Sequence, residues 1–248
     1  VLESILTRLG RMTSFLGNSF RRALLRLGIK TIRFFYRTYY RMKIVGAENI
    51  PEKGAIFLIN HPRRVDVVMS FMGAFGKPLG AFTDIGSGIS ADLLELIGFV
   101  PRLGTGPVMV EKMVRQLLLR SPYFAIWPEG TPDKGHGIMR GFSGIVKVYA
   151  TVNKKKNIIP FVPVVMQTSP LRKNTKLARS TPPKIRFTFL DPYFVPRKWL
   201  LPPEKGGKRK REIIDHAMRK IAKKFGQNKL GPNPVLQRRK KHYKKPWH

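Results

Sequence analysis

The chain has 248 residues, with 48 Lys and Arg against 14 Asp and Glu, a formal net charge of +34. Hydrophobic residues make up 42% of it and aromatics 10%, which suits a domain with a buried core and argues against a disordered polycation. Cysteine is absent, excluding a disulfide framework, a thiolate nucleophile and a cysteine-ligated zinc site, while the charge predicts an anionic partner: nucleic acid, an anionic membrane surface or an acidic carrier protein.

In residues 1–41, Leu2, Ile5, Leu6, Leu9 and Met12 recur at helical spacing. After Gly17-Asn18 a second run carries Phe20, Leu24, Leu27, Ile32, Phe35, Tyr36 and Tyr39, opposite a basic row of Arg22, Arg26, Lys30, Arg33, Arg37 and Arg41. A transmembrane helix needs about 20 mostly apolar residues, and the basic residues interrupt every such stretch. Arg8 and Arg11 likewise argue against a cleavable signal peptide. Residues 1–41 are therefore expected to form an amphipathic two-helix element lying in the headgroup layer of a membrane. A helical hairpin packed on the core, its basic face in water, is the alternative.

From Met42 the pattern changes to short apolar runs. Ala55–Ile59, Tyr123–Trp127, Phe161–Val165 and Ile185–Leu190 read as buried strands. Between them Val110, Met113, Val114, Leu117 and Leu118 mark a helix that Pro107 is suited to begin. Gly73 to Gly106 reads as loop-rich, with one short helix near Ala91–Ile97. Strands alternating with helices predict an α/β fold over residues 42–205, a mostly parallel central sheet flanked by helices. Residues 206–248 read as a basic helix ending near Phe225, followed by a Pro-punctuated basic tail.

Two segments carry candidate chemistry. Asn60-His61-Pro62-Arg63-Arg64-Val65-Asp66 starts where the first buried strand ends. If Pro62 opens a helix, Asp66 lies one turn beyond His61 and can reach the imidazole, as in a general-base dyad in which the carboxylate sets the tautomer and steadies the imidazolium. An imidazole of ordinary pKa, about 6.5, is mostly neutral at pH 7 and able to accept a proton. A purely structural His–Asp hydrogen bond fits the same spacing. Trp127-Pro128-Glu129-Gly130-Thr131 follows a second strand, so both segments are expected at the carboxyl edge of the sheet, where open α/β folds bind ligands. There Gly130 permits close backbone approach, Thr131 offers a hydroxyl, and Glu129 could bind acceptor hydroxyls or anchor a neighbouring cation.

His61-x4-Asp66 together with Pro128-Glu129-Gly130-Thr131 resembles the glycerolipid acyltransferases of the lysophosphatidate (1-acylglycerol-3-phosphate) acyltransferase type. Two further blocks resemble that family's in order: Gly98-Phe99-Val100-Pro101-Arg102, and Ile158-Ile159-Pro160-Phe161-Val162-Pro163. The resemblance covers roughly Val45 to Leu190. It implies direct acyl transfer with no covalent enzyme intermediate: His61 takes the acceptor hydroxyl proton, Asp66 orients it, and the oxygen attacks an acyl thioester on acyl-carrier protein or acyl-CoA. Arg102, Glu129, Gly130 and Thr131 are the implied substrate-binding residues, with Arg102 holding the acceptor phosphate.

The implied acceptor is a lysophospholipid, first of all 1-acylglycerol-3-phosphate. No metal or cofactor is implied beyond the acyl donor. The implied location is peripheral, at the cytoplasmic face of a membrane. One departure stands out: the family's Arg after Glu-Gly-Thr is Pro132 here, leaving Lys134 or Arg140 as its replacement, or a different lysolipid or glycolipid as acceptor. The competing class is a basic nucleic-acid-binding protein, but no recognised nucleic-acid module appears and nucleic acid is not the expected partner.

Overall fold

Apolar periodicity decides where elements form. In a computed structural model of the chain the elements run, in order, α1 (Asn18–Tyr39), β1 (Lys43–Val45), β2 (Ala55–Ile59), α2 (Val67–Phe75), β3 (Gly80–Thr83), β4 (Phe99–Pro101), α3 (Pro107–Leu119), β5 (Tyr123–Ile126), α4 (Ile145–Lys154), β6 (Phe161–Thr168), β7 (Ile185–Phe189) and α5 (Lys210–Lys224). The structure describes residues 18–62, 67–77, 79–83, 99–101, 107–119, 121–130, 137–154, 159–169, 184–202 and 209–233. The expected first N-terminal helix and the short helix near Ala91–Ile97 lie outside them.

The fold is mixed α/β, with a mostly parallel sheet flanked by helices, and packing gathers it into two compact units. The first comprises the described residues within Val1–Lys43, Asp66–Ala125 and Ser169–Ile185. Its strands run β5-β3-β4, all parallel, with Ala81 opposite both Phe99 and Ala125. α1 packs closely on α2 at Gly73, where a Cβ would lie 3.3 Å from Tyr36 Cβ and 3.5 Å from Ile32 Cγ2. The core-facing stripe of α1 is thus Ile29, Ile32 and Tyr36, spaced three and four residues apart. Leu27, Phe35 and Tyr39, grouped with that stripe by sequence, are instead exposed, as is Phe34. The apolar character of α1 therefore wraps most of the helix rather than forming one buried face.

The second unit comprises the described residues within Ile44–Val65, Ile126–Thr168 and Arg186–His248, with strand order β1-β7-β6-β2. β2 is parallel to β6, with Ile56 opposite Phe161 and Ile59 opposite Val164. Every residue of β2 is 0% exposed, which explains why its sequence is a continuous apolar run rather than an alternating one. α5 covers β6 with Ile213, Ile214, Ala217, Met218, Ile221 and Ala222, all buried on one helical stripe. Burying one such large aliphatic side chain contributes about 1.5–3 kcal/mol, so this otherwise basic helix is anchored firmly. Tyr149 of α4 stacks on Phe161 at 4.5 Å, and Phe57 meets Phe189 edge-on at 5.9 Å.

Candidate active site

The site lies in the second unit, where β2 ends. Asn60 is 3% exposed and its side chain extends the β-ladder by one residue: Nδ2 donates to the Met166 carbonyl at 2.9 Å, and Oδ1 accepts the Met166 N–H at 2.7 Å. This clamps the chain to β6 immediately before His61. Pro62 then supplies no N–H and fixes its own φ, so the chain leaves the sheet here. His61 is partly exposed, with the Trp127 ring beside its imidazole at 6.4 Å between centroids.

β5 ends at Ile126, one residue earlier than expected from sequence, so Trp127 is the first residue after it. The chain turns over Pro128 and Glu129, and the Gly130 N–H donates to the Trp127 carbonyl at 3.0 Å. Gly130 has φ +63°, and a Cβ would lie 2.6 Å from the Phe142 ring. Both conformation and space therefore require glycine. The Phe142 N–H donates to the Pro128 carbonyl at 2.6 Å, tying the returning chain beneath this turn.

Glu129 is 1% exposed. Its Oε2 accepts the backbone N–H of His61 at 2.7 Å, and its Oε1 accepts the backbone N–H of Met139, also at 2.7 Å. A buried carboxylate is costly unless such charge-assisted bonds satisfy it. Here the two bonds join three segments: the residue after β2, the turn after β5 and the stretch leading to α4. Both oxygens of the Glu129 carboxylate are thus engaged with backbone N–H groups.

A strap from the C-terminal side completes the arrangement. Beyond α5, Gln227 Oε1 accepts the Ile138 N–H at 2.7 Å, and its Nε2 donates to the Ile138 carbonyl at 3.1 Å. The Gly231 N–H donates to the Ile138 carbonyl at 2.8 Å, and the Arg140 N–H donates to the Gly231 carbonyl at 3.3 Å. Asn233, 2% exposed, donates through Nδ2 to the Glu129 carbonyl at 2.9 Å and to the Arg140 carbonyl at 2.7 Å. Nearby, Asp215 Oδ2 lies 3.8 Å from Arg140 Nε. Burial pushes the Asp215 carboxyl above its usual range, and the Arg140 charge pulls it partly back.

Of the residues singled out by sequence, His61, Glu129 and Gly130 come together here. Asp66, Arg102 and Thr131 lie outside the described residues, as do Pro132 and Lys134. The Arg140 backbone is locked to the strap while its side chain, 57% exposed, lies beside Asp215. Sequence reading assigned no role to Asn60, Met139, Gln227 or Asn233. Their roles depend on partners up to 106 positions away, which no local pattern announces. Among the described residues no three metal-ligating side chains gather.

This geometry places a histidine beside a Glu-Gly turn in an α/β fold. The model of the Acyltransferase family matches residues 41–167, a little over half of the chain, and the chain belongs to that family. Among solved structures it is similar to the 1-acyl-sn-glycerophosphate (LPA) acyltransferase PlsC from Thermotoga maritima, at 17% identity over 87% of this chain and 88% of that one, with a TM-score of 0.58. No curated protein matches the chain.

Proposed function

We propose that this acyltransferase moves a fatty acyl group from a thioester to a hydroxyl of a lysophospholipid, first of all 1-acylglycerol-3-phosphate, giving phosphatidic acid. The observation that carries this reading is the 2.7 Å bond from the His61 N–H to Glu129 Oε2, because it fixes the base against the Glu-Gly turn. His61, oriented by Asp66, takes the proton of the acceptor hydroxyl as its oxygen attacks the thioester carbonyl. Backbone N–H groups steady the tetrahedral oxyanion. The Gly130 N–H is already engaged with Trp127, so other backbone N–H groups take this role. Collapse breaks the C–S bond, and the departing sulfur takes the proton from the imidazolium, leaving ester and free thiol. Arg102 and Thr131 bind the acceptor in this scheme, with Lys134 or Arg140 supplying the charge absent at Pro132. As written, the reaction needs no metal or cofactor.

The same reading places α1 on an anionic membrane. Leu27 and Phe34 are 61% and 72% exposed, and Arg26, Lys30 and Arg37 lie exposed on the same helix. Apolar side chains beside a basic flank suit the headgroup boundary. No described helix is long and apolar enough to cross a bilayer.

The test supplies labelled acyl-carrier protein or acyl-CoA with a panel of lysolipids to wild type and His61→Ala. Transfer to a lysophosphatidate acceptor should fall by at least about 10²-fold in the variant. Equal rates, or no transfer to any acceptor, would defeat the proposal. For the membrane reading, Leu27→Glu with Phe34→Glu should release the protein from anionic vesicles while its thermal unfolding is unchanged; undiminished binding contradicts it.

A further inference from the structure

The first unit holds a cavity of about 490 Å³ lined by Arg26, Ile29, Lys30, Gly76, Lys77, Ser121, Pro122 and Tyr123. None of these residues belongs to the site around His61. Three cations reach this cavity: Arg26 and Lys30, one turn apart on α1, and Lys77 just beyond α2. A fourth, Arg33, rests its guanidinium against Gly76, where any Cβ would collide with it. Burial and the neighbouring Arg37 hold the Arg33 pKa below its usual value. Among the described residues no carboxylate lines the cavity, and none of these four cations has an ion-pair partner.

Gathering like charges costs free energy, and a bound anion would relieve that cost. The arrangement favours a phosphate over a carboxylate ligand, because three ammonium and guanidinium groups around one concavity suit several anionic oxygens on one centre. The walls have a second character. Ile29 is 2% and Tyr123 7% exposed, Pro122 adds an aliphatic ring, and Lys77 Nζ sits 5.7 Å over the Tyr123 ring. The cavity also exceeds a bare phosphate, so carbon attached to that phosphate would meet apolar surface. The exposed Leu27 follows directly on Arg26 along α1.

We propose that this cavity is a headgroup site for an anionic phospholipid whose phosphate is held by Arg26, Lys30 and Lys77. The site is separate from the one that performs transfer. It rests on the membrane reading of α1, although not on the identity of the acyl acceptor. It would give the bound enzyme a preference for membranes rich in phosphomonoester lipid.

The test uses the full chain and three kinds of vesicle: phosphatidylcholine alone, phosphatidylcholine doped with phosphatidate, and phosphatidylcholine doped with phosphatidylserine to the same charge density. The pocket variant is Lys30→Gln with Lys77→Gln; a charge-matched control carries Lys223→Gln with Lys224→Gln on α5. Wild type and control should bind phosphatidate vesicles more tightly than phosphatidylserine vesicles. The pocket variant should lose that preference, with phosphatidate affinity down at least about tenfold. Equal binding of wild type to both anionic vesicles overturns the headgroup site while leaving the membrane reading intact; binding to none overturns both. Calorimetric titration with inorganic phosphate separates the sources. Phosphate binding that the pocket variant abolishes, with vesicle preference unchanged, would make this a free-phosphate site and overturn the lipid assignment.

Discussion

Two polar neighbourhoods in this molecule treat charge in opposite ways. Around His61 the buried carboxylate of Glu129 accepts two backbone N–H groups, and Asn233 donates to two backbone carbonyls. Around Gly76, three lysines and arginines share a cavity with no carboxylate among its described lining residues. The first pattern holds a shape, because a buried polar group that loses its partner costs about 1–3 kcal/mol. The second leaves charge in wait for a ligand. Internal satisfaction marks positioning machinery, and unsatisfied like charge marks a place where something binds.

Substitutions can break this contrast, and the largest effect belongs to the turn. Gly130→Ala forces a side chain into a left-handed conformation and against Phe142, a combined destabilisation of about 2–5 kcal/mol. Chemical denaturation should report this loss, together with loss of acyl transfer. Next comes Asn233→Ala, which leaves the Glu129 and Arg140 carbonyls without this donor and should cost about 1–3 kcal/mol. A turnover number that falls more than the Michaelis constant rises would mark Asn233 as holding the turn rather than the substrate.

A smaller effect is expected at Asp215. Its folded-state pKa is raised from 3.8, so the fold disfavours the ionised form. The stability it lends is full below about pH 4 and lost as pH rises through the folded-state value. Asp215→Asn should therefore be more stable than wild type at neutral pH by about 1 kcal/mol, the usual size of a single-site effect, as read by chemical denaturation. The difference should shrink as the pH approaches 4; a difference independent of pH would contradict this. The smallest effect sharpens the contrast from the other side. Lys77→Gln removes one of the crowded cations and should leave stability unchanged or raise it by no more than about 0.5 kcal/mol. Destabilisation beyond that would mean the lysine is structural.

The parts of this molecule legible in its sequence are those with a local signature. β2 and β7 are read closely, and β5 and β6 in large part, because continuous apolar runs mark strands covered on both faces. α3 begins at Pro107 as expected. β3 and β4, with four and three residues, are too short for any period to emerge from a glycine-rich stretch. α4 is missed for another reason. Its Val-rich sequence favours a strand by propensity, whereas burial of Ile145, Val146, Val148, Tyr149 and Val152 selects a helix. At the site, the histidine and the Glu-Gly turn were both visible. The carboxylate's bond to a backbone N–H 68 positions away was not. Neither was the C-terminal strap, which lies outside the segment matched by the family model.

Those buried bonds make the role of Glu129 the most direct point of attack. Steady-state acyl transfer by Glu129→Gln, which keeps size but spoils one of the two N–H bonds, distinguishes the two tasks a carboxylate can have here. The account predicts a turnover number lowered about tenfold or more, as expected when a general base is misaligned, with the Michaelis constant for the lysolipid within about twofold of wild type. A Michaelis constant that rises while turnover stays intact would make Glu129 an acceptor-binding group and contradict the account.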